Sequence, residues 1–235
     1  MTGLPLKFAS YNIHKAVGTD GRRDPDRILA VLHEMDADIV ALQEVDRRFG
    51  SRRSVLPRER IEELGYAIDP LFMRPASMGW HGNALLVRRG IEIIGAEPID
   101  LPTLEPRGAV SVELAGRDLR FRVAAMHLDL SGLRRRQQVR SVLDHFSDLE
   151  GELPAIMLGD FNEWSMLGGT LRAFDPGWQV LAPGKSFPSR RPLAPLDRIA
   201  HSQGWCCVEH GVHHSALAAR ASDHLPVWAK LEWAA

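Results

Sequence analysis

Two packed β-sheets flanked by helices, an α/β architecture, is the fold this sequence predicts, and three observations lead there. Strand-like segments outnumber helical ones and run the length of the chain. Two apolar runs, Asp38–Val45 (DIVALQEV) and Ala155–Leu158 within PAIMLGDFNEW, read as strands buried on both faces. The helical segments are amphipathic and fall between strands, as covering layers do.

Taken in order, Leu6–Ile13 reads as the first strand. Asp24-Pro25 opens a helix, with an N-cap residue, Pro at the first helical position, and Ile28, Leu29, Val31, Leu32 and Met35 at helical spacing. Asp38–Val45 is the second strand, ending in the polar pair Gln43-Glu44. An arginine-rich connection (Arg47, Arg48, Arg52, Arg53, Arg58, Arg60) leads into a short helix near Arg58–Leu64. Tyr66–Met73, His81–Val87, Ile91–Ile99 and Ala109–Leu114 read as strands, and Ala115-Gly116-Arg117 as a hairpin turn into Leu119–Leu128. Ser131 is placed to cap a helix with Val139, Val142, Leu143, Phe146 and Leu149 inward and Arg134, Arg135, Arg136 and Arg140 outward. The PAIMLGDFNEW strand follows, then a short helix within Ser165–Phe174, a strand near Trp178–Leu181 and a Pro-rich loop, Pro183–Pro195. The last strands are Cys206–Val212 and Leu225–Trp233, and no internal repeat is visible.

No linker divides the 235 residues, so a single domain over 1–235 is expected. Hydrophobic residues at 45% and charged residues at 25% match a soluble globular enzyme. A net charge of −1 removes the global electrostatic case for a dedicated nucleic-acid binder. Cys206 and Cys207 are adjacent and cannot form an ordinary unstrained disulfide with each other, so a reducing compartment is expected. The N-terminal MTGLPLKFASYNI lacks the charged and apolar regions of a signal peptide, and no apolar run approaches roughly 18 residues. A cytoplasmic location without a transmembrane segment follows as an expectation, and no segment calls for an obligate protein partner.

Polar residues recur at strand ends: Asn12, Glu44, His127, Asp160, Asn162, Asp197, Asp223 and His224. Each also has a plain structural reading, such as a strand terminus for Asn12, a solvated edge charge for Glu44, a satisfied core histidine for His127, or a local Asp197–Arg198 ion pair. In an extended chain Asp160 and Asn162 share a face while Phe161 packs behind. Together the set suits phosphoester hydrolysis, which needs a hard cation on oxygen ligands, a base beside the nucleophile, and donors on the non-bridging oxygens. Carboxylate, amide and water favour Mg²⁺ over Zn²⁺. A carboxylate–imidazole pair such as Asp197 with His224 would set the tautomer and favour the imidazolium.

The ordered motifs NI, QE, GN, RG, HL, GDFN, LDRI and SDH, spanning Phe8 to Trp228, resemble the endonuclease/exonuclease/phosphatase superfamily of Mg²⁺-dependent phosphoesterases. That group includes AP endonucleases, deoxyribonuclease, neutral sphingomyelinases and inositol polyphosphate phosphatases. The resemblance implies a four-layer α/β-sandwich with the site at one end of two mixed sheets. It makes Glu44 the principal Mg²⁺ ligand, with Mn²⁺ able to substitute, and puts Asn12 beside the metal and scissile phosphate. Asp160 would orient and deprotonate the attacking water, with Asn162 its neighbour in the same loop. His224 would contact the phosphate and be oriented by Asp197, His127 would be a second phosphate-oxygen donor, and Asp223 would lie near the metal. Arg107 of PRG and Asn83 of GN are the candidate substrate contacts, a structural hairpin arginine being as good a reading of Arg107.

The implied activity is hydrolysis of phosphodiester or phosphomonoester bonds, with a DNA nuclease or a catalytically inactive binding module on the same fold as alternatives. Nucleic acid and lipid headgroups are both open as the source of the phosphoester. His14 stands where nuclease members often carry Asn or Asp, and the chain shows no DNA-gripping insertions. HGNALLV, EPRGAV and MHLDLSGLRRRQQ look more like small bacterial members. Cys206, Cys207, His210, His213 and His214 fit no common zinc spacing. With Asp46, Glu59, Glu62 and Glu63 interleaved, the Arg47–Arg60 connection reads as a solvated face rather than a polyanion collector.

Overall fold

The computed structural model describes residues 4–103, 107–166 and 168–234. Twelve strands among them form two six-stranded sheets. The first contains β1 (Leu6–Asn12), β2 (Ile39–Gln43), β3 (Tyr66–Ile68), β4 (Ala84–Arg88), β11 (Trp205–Val212) and β12 (Val227–Trp233), in the order β11-β12-β1-β2-β4-β3. The second contains β5 (Glu92–Ile99), β6 (Gly108–Gly116), β7 (Leu119–His127), β8 (Ala155–Asp160), β9 (Trp178–Leu181) and β10 (Asp197–Ser202), in the order β5-β6-β7-β8-β10-β9.

The two sheets share one pairing plan. Each has a single parallel pair at its centre, β1 with β2 and β7 with β8, and antiparallel pairs elsewhere. A parallel pair needs a crossover, and the helices supply it: α1 (Pro25–Met35) between β1 and β2, α3 (Gly132–Asp148) between β7 and β8, while the short α2 (Arg58–Glu63) lies between β2 and β3. This internal duplication leaves no trace as a sequence repeat. It puts the carboxyl ends of four central strands at one end of the sandwich.

Three apolar clusters define four layers. Between the sheets pack Phe8, Ile39, Ala41, Val112, Phe121, Ile156, Leu158, Ile199 and Val227. α1 covers the outer face of the first sheet through Ile28, Leu29, Val31, Leu32 and Met35, all buried as their spacing predicts. α3 covers the second through Val139, Val142 and Leu143. The central strands are therefore buried on both faces, which is why their sequences are unbroken apolar runs. The four-layer α/β-sandwich is thus observed.

Local details correct several expectations. Asp24 caps α1, its carboxylate accepting from Arg27 N, an arrangement worth about 1 kcal/mol. Ser131 precedes α3 without a side-chain cap bond, and Asp129 Oδ1 instead accepts from Ser131 N at 2.9 Å. Gly116 stays in β6, paired with Leu119, so the hairpin turn is Arg117-Asp118, both at positive φ (54° and 60°) as a two-residue turn between twisted strands requires. The segment after β8 forms a 3-10 turn, Gly169–Ala173, rather than an α-helix. Leu167 of that segment and Glu105-Pro106 of EPRGAV lie outside the described residues. No described helix is long and apolar enough to cross a membrane.

The outward face assigned to Arg135 is wrong. Its side chain turns inward, donating to Thr170 Oγ1 at 3.0 Å and Leu130 O at 2.6 Å, with Glu163 Oε2 at 3.4 Å. Burying this cation is tolerable because Glu163 is buried beside it. Arg135→Ala would leave that carboxylate uncompensated and should cost about 3 kcal/mol in a denaturant titration. A loss under about 0.5 kcal/mol would show the pair to be dispensable.

Candidate active site

Register assembles the site. In the second sheet His127 pairs with Asp160 across β7–β8, and Asp197 pairs with Asp160 across β8–β10. Three polar residues thus stand side by side on neighbouring strands. β8 and β7 approach closely at Gly159, where a Cβ would lie 1.9 Å from Met126 O, so no larger residue fits before Asp160. In the first sheet Asn12 pairs with Gln43, and Glu44 follows immediately in a left-handed conformation (φ 61°). The two sheets meet where Asn12 Nδ2 donates to Asp160 Oδ2 at 3.0 Å.

Asp160 is the hub. His127 Nε2 lies 3.3 Å and His224 Nε2 3.7 Å from its Oδ2, while Asn162 N donates to Oδ1 at 2.9 Å. Burial alone would raise this carboxyl, but the His224 charge and the His127 contact outweigh burial and hold it well below the usual carboxylate range. Asn162 adopts φ 49° and donates its amide to Leu128 O at 2.9 Å, so it braces the β7 and β8 ends. Phe161 packs behind in the core, as alternation predicts.

His224 Nδ1 donates to Asp197 Oδ2 at 2.9 Å, and Ser186 donates to the same oxygen. Burial works against a charged His224, but Asp197, then Asp160 and Asp223, push its pKa up to about 10. Asp197 itself is raised, burial exceeding the help from His224. The ring of Phe187 lies 4.9 Å from the His224 ring and shields the pair. Asp197 and Arg198 do not form a side-chain ion pair: Arg198 points away and donates to the carbonyls of Asp197, Glu163 and Ser165.

Glu44 lies at the edge of this cluster with Lys15 Nζ on its Oε2. Burial would raise its carboxyl, yet His127, Lys15 and His14 lower it overall. Asp223 sits on another side, 39% exposed, with its Oδ1 3.8 Å from His14 Nδ1. The Arg107 guanidinium lies against the His127 ring. Asn83 is not in the cluster: it is buried, its amide donating to Gly108 O at 2.9 Å and Trp80 O at 3.2 Å, so it steadies the backbone beside Arg107.

Among the described residues, one trio of carboxylates and imidazole, Asp160, Asp197 and His224, has the donor types and spacing of a possible cation site, within 4.8 Å. The cysteine and histidine residues of the C-terminal segment form no such set there; both cysteines are free and His213 Nε2 contacts Glu34 Oε2 at 2.9 Å. Lys15, Ser186, Phe187 and Ser222 escaped the sequence reading. Ser222 Oγ donates to Asn12 O at 2.7 Å, tying the SDH loop to β1. Its place in SDH was the one available signal, while Ser186 sits in a loop with no motif.

The profile of the Endonuclease/Exonuclease/phosphatase family matches residues 9–224. This chain belongs to that family. It is 26% identical over 256 residues to the uncharacterized protein YbhP of Escherichia coli K12, covering 96% of each chain. The endonuclease/exonuclease/phosphatase from Bacteroides vulgatus superposes with TM-score 0.76 at 17% identity, covering 97% of this chain and 99% of that one. A mannosyl-6-phosphatase from Bacteroides thetaiotaomicron gives TM-score 0.72 at 20% identity, covering 96% and 99%. At such identities the structural likeness speaks to the fold. Activity must come from the site of this family member itself.

Proposed function

We propose that this family member hydrolyses phosphoesters, foremost phosphodiesters, with a divalent cation held at Glu44. The observation that carries the reading is the convergence of Asn12, His127 and His224 on one buried, ionised Asp160. A binding scaffold has no need of so complete a set of base and donors.

The residues around Glu44 fit a hard cation. Glu44 is held ionised, and the Lys15 ammonium on its Oε2 sets positive charge against that carboxylate. Mg²⁺ or Mn²⁺ bound at this position would neutralise phosphate charge and acidify water. Asp160, oriented by Asn12 and the Asn162 amide, accepts the proton of the attacking water. His224, held as an imidazolium by Asp197, offers Nε2–H to a phosphate oxygen as negative charge develops. His127 offers a second contact from the adjoining strand. The buried Asp160–Asp197–His224 trio is already occupied by its own hydrogen bonds and by the imidazolium charge, which favours proton handling over cation binding.

The direct test is p-nitrophenol release from bis-p-nitrophenyl phosphate with Mg²⁺ or Mn²⁺, against a chelator control. No release with either cation would sink the reading and leave a binding module. Glu44→Gln keeps the side chain's shape and removes its charge, so Mg²⁺ affinity in calorimetry should drop at least about tenfold with the fold retained. Unchanged affinity would remove Glu44 as the main ligand.

A further inference from the structure

The strongly exposed large apolar side chains of the described residues are not scattered. Leu4, Ile94 and Val208 apart, they lie on loops or a first helical turn at the end of the sandwich that carries Asp160. Five of them, Leu130, Leu133, Trp164, Met166 and Leu193, are 56–69% exposed and lie on three segments, 128–136, 161–174 and 183–195. None of the five belongs to the Asp160 cluster. Single exposed apolar residues are ordinary, but a contiguous group is not. Contacts among the segments make this group contiguous. Arg135 donates to Leu130 O at 2.6 Å and reaches Glu163 Oε2 at 3.4 Å. Arg198 donates to the carbonyls of Glu163 and Ser165, on either side of Trp164. The Trp164 ring meets Phe187 edge-on at 6.4 Å, and Leu193 N donates to Phe187 O at 2.8 Å.

The charge of these segments is one-sided. Lys185, Arg190 and Arg191 are exposed, and Arg134 and Arg136, half-buried, follow Leu133. The acidic residues of the same segments, Asp129 and Glu163, are both buried, Glu163 against Arg135. A chain with a net charge of −1 therefore presents, beside its reacting centre, an apolar face edged by cations. Among the described residues, those three segments expose no carboxylate.

The composition of the face selects its occupant. Single-stranded nucleic acid stacks its bases on aromatic rings, and four of these five side chains have none. A second copy would set cations against cations across a two-fold interface. Hydrocarbon beneath anionic headgroups matches both the apolar centre and the charged edge. We propose that this face docks the protein on an anionic phospholipid bilayer. The five apolar side chains enter the boundary between headgroups and acyl chains, and the cations meet lipid phosphates. Phe187, which joins Trp164 to Leu193, also packs on the His224 ring at 4.9 Å, so docking holds the reacting centre at headgroup level. The docking stands on the face alone; that a headgroup phosphodiester is then the substrate rests on the phosphoesterase reading.

The test is co-sedimentation of the full chain with sucrose-loaded vesicles, in the presence of a chelator so that binding is read without turnover. Vesicles of phosphatidylglycerol mixed equally with phosphatidylcholine are compared with phosphatidylcholine alone. Partition onto the mixed vesicles should be at least about tenfold stronger. Leu130→Ser/Leu133→Ser/Leu193→Ser should weaken it at least about tenfold. Arg190→Gln/Arg191→Gln, which removes no apolar side chain, should weaken it by a similar factor. Circular dichroism verifies that both variants are folded, and if the leucine variant is not, the arginine pair decides. Absence of binding to the mixed vesicles, equal binding to both compositions, or full binding by either folded variant overturns the docking face. Hydrolysis of bis-p-nitrophenyl phosphate without vesicle binding removes the docking face and leaves the phosphoesterase standing. Variant-sensitive vesicle binding without hydrolysis supports the docking face and removes the phosphoesterase. Where vesicles fail, binding of an oligothymidylate, or self-association, that is lost in the same variants overturns the membrane and assigns the face to nucleic acid or to a second copy.

Discussion

Asp160→Asn should lower hydrolysis of bis-p-nitrophenyl phosphate by about a thousandfold or more. General-base transfer contributes about 10²–10⁴ in rate, and the amide has no comparable basicity. The substitution also sets an amide against three groups, on Asn12, His127 and His224, that converge on one oxygen. Even the better orientation, with the amide oxygen kept on those three groups, sets the NH₂ against the Asn162 N–H that donates to Oδ1. Mg²⁺ affinity should change far less than in Glu44→Gln, because Asp160 is engaged with protein donors. Retention of a tenth of the activity would show that another group takes the proton.

Asp197→Asn should cut turnover about a hundredfold, the loss expected when an oriented electrostatic donor is weakened. The contact to His224 Nδ1 can persist, but the carboxylate that most favours the imidazolium is gone. With the His224 pKa pushed up to about 10, the natural chain should keep its activity until that pH and lose it above. In the variant the alkaline limb should move down, toward the unperturbed imidazole value of about 6.5. The stability sign agrees: a histidine raised by folding stabilises fully below about 6.5, and its contribution disappears as pH rises through about 10. His224→Ala and the double variant should be similarly impaired, since the pair acts as a unit. Additive losses, or an unmoved alkaline limb, would mean that the two residues work separately.

Much of this was legible in the sequence because one physical rule covers fold and site together. DIVALQEV and AIMLGD had to be doubly buried strands, and a polar group ending such a run must be satisfied by something. Asn12, Glu44, His127, Asp160, Asp197 and His224 followed from that rule and from the motif order. Register was not legible. Nothing local to LDRI states that Asp197 pairs with Asp160, and nothing in the sequence displays the shared pairing plan of the two sheets. Arg135 was misplaced because its burial depends on Glu163, 28 positions away.

The Asn12–Asp160 hydrogen bond joins positions 148 apart, and the Asp197–His224 bond then closes the constellation near the end of the chain. During synthesis a chain released only as far as Ser202 would have all six strands of the second sheet and yet neither the imidazole nor β12, the strand that pairs with β1. Loop-closure entropy for such distant contacts is met before their reward arrives. The candidate site is therefore the last feature the polypeptide completes. In a refolding time course, recovery of turnover should trail recovery of β-sheet signal.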